Sequence, residues 1–249
     1  MLLVAIDTSG RKGSIALCRG DHQSFEVLQF SSLEGGTYSA QLMPRIAGAL
    51  ERNALSKSQI DGFVIIAGPG SFTGLRVGLA TVKGLCEALG KPLATVSMLE
   101  AVARARGTAG RTAIAVLDAG RGEVFVGEYR VSGDRAELER EYIAKLTAFI
   151  AESSTLPPGL LFTPDESVAE ALRTAGIEAQ KVAPVRADEI GRIGLCKLLS
   201  GEIVDPATVD ANYIRRSDAE LCSLPKRTNA AANAGKTHPS SQLSVIGKH

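Results

Sequence analysis

The sequence has few of the residues that enzymes use for proton transfer and metal binding. It contains three histidines, His22, His238 and His249, and no tryptophan. Neither an H-x-x-x-H pair nor an H-E-x-x-H motif is present, and these are spacings that place two imidazoles on one metal ion. Without a histidine base, Ser14 and Thr8 are poor candidates for nucleophiles. We therefore expect no metal site, no cofactor and no nucleophilic catalysis.

Cysteine is also sparse, and its spacing suits neither zinc nor a disulfide framework. No two cysteines form a C-x-x-C pair. Scattered single cysteines are typical of reduced thiols in a cytoplasmic protein. The four residues are Cys18, Cys86, Cys196 and Cys222.

Long apolar runs and a signal peptide are missing as well. The first apolar stretch, Leu2–Ile6, is too short to span a membrane, has no basic region before it and meets Asp7 at once. Residues 215–249 hold six Lys or Arg and two Asp or Glu, so the rest of this chain of net charge +1 is mildly acidic. An acidic body does not indicate a protein that binds nucleic acid by itself. We expect a cytoplasmic protein without membrane contact.

The most informative stretch is a glycine-rich turn followed by a helix. The branched apolar run 63–67 predicts a buried strand, and Gly68-Pro69-Gly70 ends it. Ser71 or Thr73 can cap the helix that we predict over residues 73–89. The spacing is neither a Walker A motif nor G-x-G-x-x-G, so it gives little support for phosphate binding.

This predicted helix is rich in glycine and poor in charge. Each of its interior glycines, Gly74, Gly78 and Gly84, costs about 1 kcal/mol relative to alanine. A face of small residues allows another backbone to approach closely. That neighbour is either part of the same domain, with the helix buried wholly inside it, or a helix from a partner subunit.

A second helix, predicted over residues 39–53, has a similar apolar face. Side by side, the two helices would expose an apolar patch that favours a partner. We therefore predict a partner interface on them. Its residues are Leu42, Met43, Ile46, Leu50, Gly74, Leu75, Gly78, Leu79 and Val82.

The two halves of the chain open in the same way. Leu2–Ile6 ends at Asp7 and Ala113–Leu117 ends at Asp118, and a tight turn and a second strand follow each acid. This repeat predicts two similar domains. Asp7 and Asp118 either line a nucleotide cleft as cofactor-binding residues or cap their own turns by accepting hydrogen bonds from backbone N–H groups. The second reading is favoured, because the Asp7 turn lacks the glycine-rich loop of a kinase.

Changes in composition suggest where the domains begin and end. We place an N-terminal domain, with the partner-binding helices, at residues 1–106 and a second domain at residues 107–216. The last helix of the second domain, predicted over residues 188–200, can pack back on the first domain. From residue 217 to residue 249 no apolar period survives, which predicts a disordered tail.

The segment from Ala67 to Gly84 resembles the signature of the TsaB family, also called YeaZ, and the similarity extends over residues 1–217. The resemblance implies an α/β protein with the two-domain fold of the acetate kinase and actin superfamily. Its ribonuclease-H-like halves would each hold a mixed sheet flanked by helices. The family further implies a non-catalytic subunit that binds the catalytic TsaD subunit through helices 39–53 and 73–89.

With the TsaE ATPase, the complex implied by this resemblance transfers a threonylcarbamoyl group to adenosine beside the tRNA anticodon. Contact with tRNA would occur only through the complex, and the same helices could form a homodimer. Many family members have histidine where this chain has Tyr38, and the related TsaD family binds metal with an H-x-x-x-H pair. Two other classes stay open: an actin-like small-molecule kinase or ATPase and, with less support, a metallopeptidase.

Overall fold

The computed structural model describes residues 1–105, 111–133, 135–212 and 214. The domain boundary predicted at residues 106 and 107 and the tail predicted over residues 217–249 lie outside these ranges. Within the part of the chain that is described, none of the helices is both long enough and apolar enough to cross a membrane.

The first half of the chain forms a five-stranded mixed sheet. Its strands are β1 (Leu2–Asp7), β2 (Lys12–Gly20), β3 (Phe25–Glu34), β4 (Gly62–Gly68) and β5 (Leu93–Ser97). The spatial order is β3-β2-β1-β4-β5; β1 to β3 form an antiparallel meander, and β4 and β5 run parallel to β1. The helices of this half are α1 (Tyr38–Arg52), α2 (Phe72–Leu89) and α3 (Met98–Arg104).

The second half repeats this arrangement. Its strands are β6 (Arg111–Gly120), β7 (Glu123–Ser132), β8 (Arg135–Lys145), β9 (Leu161–Thr163) and β10 (Ala179–Lys181). Their order is β8-β7-β6-β9-β10, with the same pattern of antiparallel and parallel pairs as the first sheet. The helices are α4 (Leu146–Ser153), α5 (Glu166–Thr174) and α6 (Ala187–Ser200). The predicted repeat and the mixed sheets flanked by helices are confirmed.

The two halves exchange their last helices. Helix α3 follows β5 but buries Leu99 and Val102 in the core of the second sheet. Helix α6 follows β10 but packs across β1, β2 and β4 of the first sheet, where the Ala187 N–H donates to Ser14 Oγ at 2.9 Å. Close approach needs glycine at both places, because a Cβ on Gly127 or Gly194 would lie under 3.0 Å from the facing side chain.

Helix α2 covers the other face of the first sheet with its glycine face inward. A Cβ on Gly74 would overlap the Thr8 carbonyl oxygen, and one on Gly78 would overlap Thr8 Oγ1. Gly84 is different, since nothing lies within 4 Å of the place where its Cβ would stand. The close neighbour of the glycine face is therefore the backbone of this chain, at the turn between β1 and β2.

These contacts predict opposite effects for two identical substitutions in α2. Gly74→Ala should lower the free energy of unfolding by about 1–3 kcal/mol, because the methyl group forces the Thr8 backbone away. Gly84→Ala should raise it by up to about 1 kcal/mol, because alanine stabilises an exposed helical position. Urea denaturation of both variants measures the difference. Equal effects of the two substitutions would show that the β1–β2 turn does not press on Gly74.

Candidate functional site

The glycine-rich turn before α2 is tied to the turn after β1. The Ser71 N–H donates to the Ser9 carbonyl oxygen at 2.6 Å, and Ser71 Oγ accepts from the Gly74 N–H at 3.3 Å. Ser71 is thus the helix cap, as predicted, and Gly90 ends the helix with φ of 61°. Helix N-termini bind anions through unused N–H groups, and two such groups are already bonded here.

The structure places eight of the nine predicted interface residues inside the chain's own core. On α1 these are Leu42, Ile46 and Leu50; on α2 they are Gly74, Leu75, Gly78, Leu79 and Val82. Met43 is the exception, with 49% of its surface exposed. The prediction that the glycine face meets a partner is therefore wrong, because Thr8 already occupies it. Periodicity identified the apolar face of each helix but assigned it to the wrong neighbour.

The outer faces of the two helices are nonetheless unusually short of charge. On α1 the exposed residues Ala40, Met43, Pro44 and Ala47 follow one another at helical spacing. On α2 the outer positions Thr73, Val77, Ala80, Gly84 and Ala88 are small or weakly polar, and the three charged residues of the helix, Arg76, Lys83 and Glu87, stand among them. Of these residues the sequence prediction named only Met43, although the lack of long charged side chains at the other positions was visible in the sequence.

Helix α5 shows what an ordinary solvent face looks like in this fold. It follows β9 as α2 follows β4, so it is the counterpart of α2 in the second half. Its nine residues include three charged ones, and Arg173 pairs with Glu170 while Glu166 pairs with Lys181. Helix α2 has the same number of charged residues over twice the length, 18 residues.

Asp7 is buried at the end of β1 and holds its own turn. Its Oδ1 accepts from the Ser9 N–H at 2.8 Å and from Ser9 Oγ at 2.6 Å. Burial raises the pKa of the Asp7 carboxyl, and the bonds from Ser9 only partly offset this effect. The Asp7 carboxylate therefore caps the turn, and its burial costs the folded chain some stability.

Asp118 plays the same part in the second half, on the surface. Its Oδ1 accepts from the Gly120 N–H at 2.7 Å, and its own N–H donates to Asp165 Oδ2 at 2.8 Å. Both acids thus cap turns, which is the reading that the sequence favoured. No group of three or more His, Cys, Asp or Glu side chains that could hold a metal ion occurs among the residues that the structure describes.

Tyr38 fills the space beside the first turn. Its hydroxyl donates to the Gly10 carbonyl oxygen at 2.7 Å, and its ring packs where a Cβ on Gly13 would lie. Burial, followed by the charges of Asp7 and Glu34, raises the pKa of Tyr38 to about 12. At neutral pH the side chain is a neutral hydrogen-bond donor.

A polar cavity opens where the exchanged helices meet. It has a volume of about 290 Å³ and is reached at the ends of β4 and β5. Glu141 on β8 accepts from Ser97 Oγ at 2.5 Å, from the Tyr129 hydroxyl and from Asn212 Nδ2 at 2.8 Å. Sequence reasoning did not find this cluster, because its members come from distant parts of the chain.

Lys197, on α6, lines the same cavity. Its ammonium group donates to Glu100 Oε2 at 2.6 Å and to the Thr95 carbonyl oxygen at 3.1 Å. Glu100 is on α3 and also lies 3.7 Å from the Arg104 guanidinium. The ion pair therefore connects the two exchanged helices.

Comparison with known proteins gives consistent relatives. Residues 35–183 match the family model described as TsaD, tRNA N6-adenosine threonylcarbamoyltransferase. The chain is 28% identical over 220 residues to an uncharacterized protein of Mycobacterium leprae, covering 88% of this chain and 56% of that protein. It is 32% identical over 130 residues to the tRNA threonylcarbamoyladenosine biosynthesis protein TsaB of Bacillus subtilis, covering 52% of this chain and 56% of that protein. The chain spans about half the length of the curated relatives that it matches.

Solved structures support the fold. The structure of YeaZ from Pseudomonas aeruginosa aligns with a TM-score of 0.66 at 23% identity, covering 84% of this chain and 98% of that chain. A second structure, described as similar to peptidase YeaZ, gives a TM-score of 0.67 over 86% of this chain and 99% of the other. The expected α/β fold, with two mixed sheets flanked by helices, is confirmed, and it is the fold of these YeaZ structures.

The buried carboxyl of Asp7 predicts a pH-dependent effect of Asp7→Asn. The pKa of Asp7 is higher in the folded than in the unfolded chain. As the pH rises through the ordinary aspartate pKa, about 4, Asp7 therefore ionises first in the unfolded chain, and the free energy of unfolding falls. Asparagine can still accept the Ser9 bonds without a charge. The variant should therefore be at least as stable as the parent at neutral pH, and this advantage should shrink below about pH 4.

Urea denaturation of both proteins across that pH range checks the prediction. Asp61→Asn is a suitable control for the change of residue type, because Asp61 also accepts a backbone bond, from the Leu2 N–H at 2.7 Å, but is exposed. A large loss of stability in Asp7→Asn at neutral pH would contradict the assignment, because it would mean that the turn needs the negative charge.

Proposed function

Because the chain belongs to the family described by the TsaD model and, within it, to the TsaB (YeaZ) group, we propose that it is a non-catalytic subunit in tRNA threonylcarbamoyladenosine biosynthesis. Relatives from Bacillus subtilis, Haemophilus influenzae and Escherichia coli are named for this pathway. In this proposal the chain binds a TsaD-type catalytic subunit. With a TsaE-type ATPase, the complex transfers a threonylcarbamoyl group to adenosine beside the tRNA anticodon.

The observation that carries the proposal is the exposed apolar surface of α1 and α2, on which charged residues are sparse for the length of the helices. Met43 and Phe72 are both large apolar residues with exposed surface, at 49% and 39%. Around them stand small side chains such as Ala47 and Ala80, which let a partner helix approach closely. Exposed apolar patches of this kind mark protein interfaces more often than chance positions do.

A role without catalysis suits the chemistry at the first turn. The oxygen Oδ1 of Asp7 is engaged by Ser9, and Tyr38 donates to the turn backbone instead of offering an imidazole to a metal. The N–H groups of Ser71 and Gly74 are likewise bonded within the chain. These contacts suit a structural role for the turns, and they argue against an actin-like kinase.

Co-expression with the TsaD-type protein of the same organism tests the proposal. We expect the two to purify together and to give a complex of defined mass, whereas the chain alone should neither hydrolyse ATP nor modify tRNA. ATP turnover by the isolated chain that disappears in Asp7→Ala would support the kinase alternative instead. The same measurement reports whether the chain alone forms a homodimer.

Charged substitutions on the outer faces should weaken this complex. Met43→Glu or Ala80→Glu places a carboxylate at the centre of the proposed interface, which should cost about 2 kcal/mol or more, or about thirtyfold in affinity. Both residues are exposed, so the fold should be retained. Titration calorimetry or surface plasmon resonance with the TsaD-type protein measures the change.

Ala151→Glu is the matched control, because Ala151 is also an exposed alanine on a helix, α4 in the second half. It should bind the partner with unchanged affinity. If Met43→Glu and Ala80→Glu are folded by circular dichroism and bind as well as the control, the interface lies elsewhere on the molecule.

A further inference from the structure

The cavity at the ends of β4 and β5 plays no part in the proposed partner surface on α1 and α2. Its lining combines polar and apolar side chains, which is typical of small-molecule sites. One of the apolar side chains, Leu138, has 54% of its surface accessible. The lining includes Glu100, Ala136, Leu138, Glu141, Lys197 and Asn212.

Glu141 accepts three hydrogen bonds from the residues around it. Burial, followed by the charge of Glu141, raises the pKa of the Tyr129 hydroxyl, so the tyrosine stays protonated and donates. Its bond and that of Ser97 both go to Oε1, while Oε2 receives a bond from Asn212 Nδ2. A carboxylate offers about four acceptor positions. Three are used, which leaves one at Oε2, the oxygen nearer the exposed Asn212.

The charges of the lining favour a positively charged ligand. Two carboxylates, Glu100 and Glu141, face one ammonium group, that of Lys197. Lys197 donates to Glu100 and to the Thr95 carbonyl oxygen, so its charge is balanced by that of Glu100. Glu141 receives bonds from neutral groups, and its charge is the one that a ligand can balance.

We propose that this cavity binds a small primary ammonium compound, whose N–H groups donate to Glu141 Oε2 and to the amide oxygen of Asn212. The ammonium group takes the acceptor position that the intramolecular network leaves unused. Its alkyl part lies against Leu138 and Ala136. A phosphate or carboxylate is disfavoured, because it would meet the charge of Glu141 and would have to compete with Glu100 for Lys197.

Isobutylamine and N-isobutylacetamide are matched probes for this site, because they share the alkyl group and only the first carries a positive charge. Nuclear magnetic resonance titration at neutral pH, with salt held constant, should show saturable shifts of the Asn212 side-chain amide with millimolar isobutylamine. The acetamide should give none. Absence of saturable shifts with the amine, or equal shifts with both compounds, overturns the proposal.

Two variants show whether the shifts arise from the proposed contacts. Glu141→Gln keeps the size and hydrogen-bonding capacity of the side chain but removes the charge, and it should weaken isobutylamine binding by about tenfold or more. Asn212→Ala alters an exposed residue, so it tests the second contact even where Glu141→Gln disturbs the fold. It should also weaken binding, followed here by the backbone amide shifts of the cavity residues because the variant lacks the Asn212 side-chain signal.

Glu137→Gln provides the control on the same strand. Glu137 is an exposed residue of β8 outside the cavity lining, so its loss of charge should leave isobutylamine binding unchanged. Equal weakening in Glu137→Gln and Glu141→Gln would mean that the amine senses only the general charge of the strand, and would overturn the site. Binding to the TsaD-type protein is measured separately, so failure of one proposal is distinguishable from failure of the other.

Discussion

The contact between the β1–β2 turn and helix α2 sets the geometry of the first half. The Thr8 and Ser9 carbonyl oxygens lie so close to α2 that only glycine fits at Gly74 and at Gly70. The contact also leaves Thr8 Oγ1 as one of two buried side-chain polar atoms without a hydrogen-bond partner in the part of the chain that the structure describes. Close packing must stabilise the fold by more than this unpaired polar atom destabilises it. The packing holds α2 rigidly on the sheet, with its outer face at a defined place.

Exchange of the last helices joins the two halves into one cooperative structure. Because α3 completes the core of the second sheet and α6 that of the first, each half alone would leave one face of its sheet uncovered. The ion pair between Lys197 and Glu100 joins the two exchanged helices directly. The polar cavity arises at this crossing, since Ser97 begins α3, Lys197 lies on α6 and Glu141 comes from the second sheet. The polar groups of the cavity are therefore brought together by the exchange of helices, and no single segment of the chain supplies them.

Short sequence patterns predicted the structural features that depend only on residues near each other in the chain. The strand–acid–turn repeat, the cap at Ser71 and the end of α2 at Gly90 all follow from short stretches. Strand β8 was missed because its sequence is dominated by charged residues, which are satisfied only across the ladder, as in the pairs Arg130–Glu139 and Arg140–Glu128. The helix exchange and the Glu141 cluster join residues far apart in the chain, so no periodicity could have shown them.

The difference between the two halves gives the strongest reason to regard α2 as more than a structural element. A helix follows the fourth strand of each half, and both helices bury one face on a sheet. In the second half, α5 has nine residues and carries ion pairs on its solvent face. In the first half, α2 has 18 residues and only as many charged residues as α5. Packing on the sheet explains the inner face of α2, and solvation would have favoured charges on the outer one. The lower density of charge on α2 than on α5 therefore supports the proposed partner surface on α2.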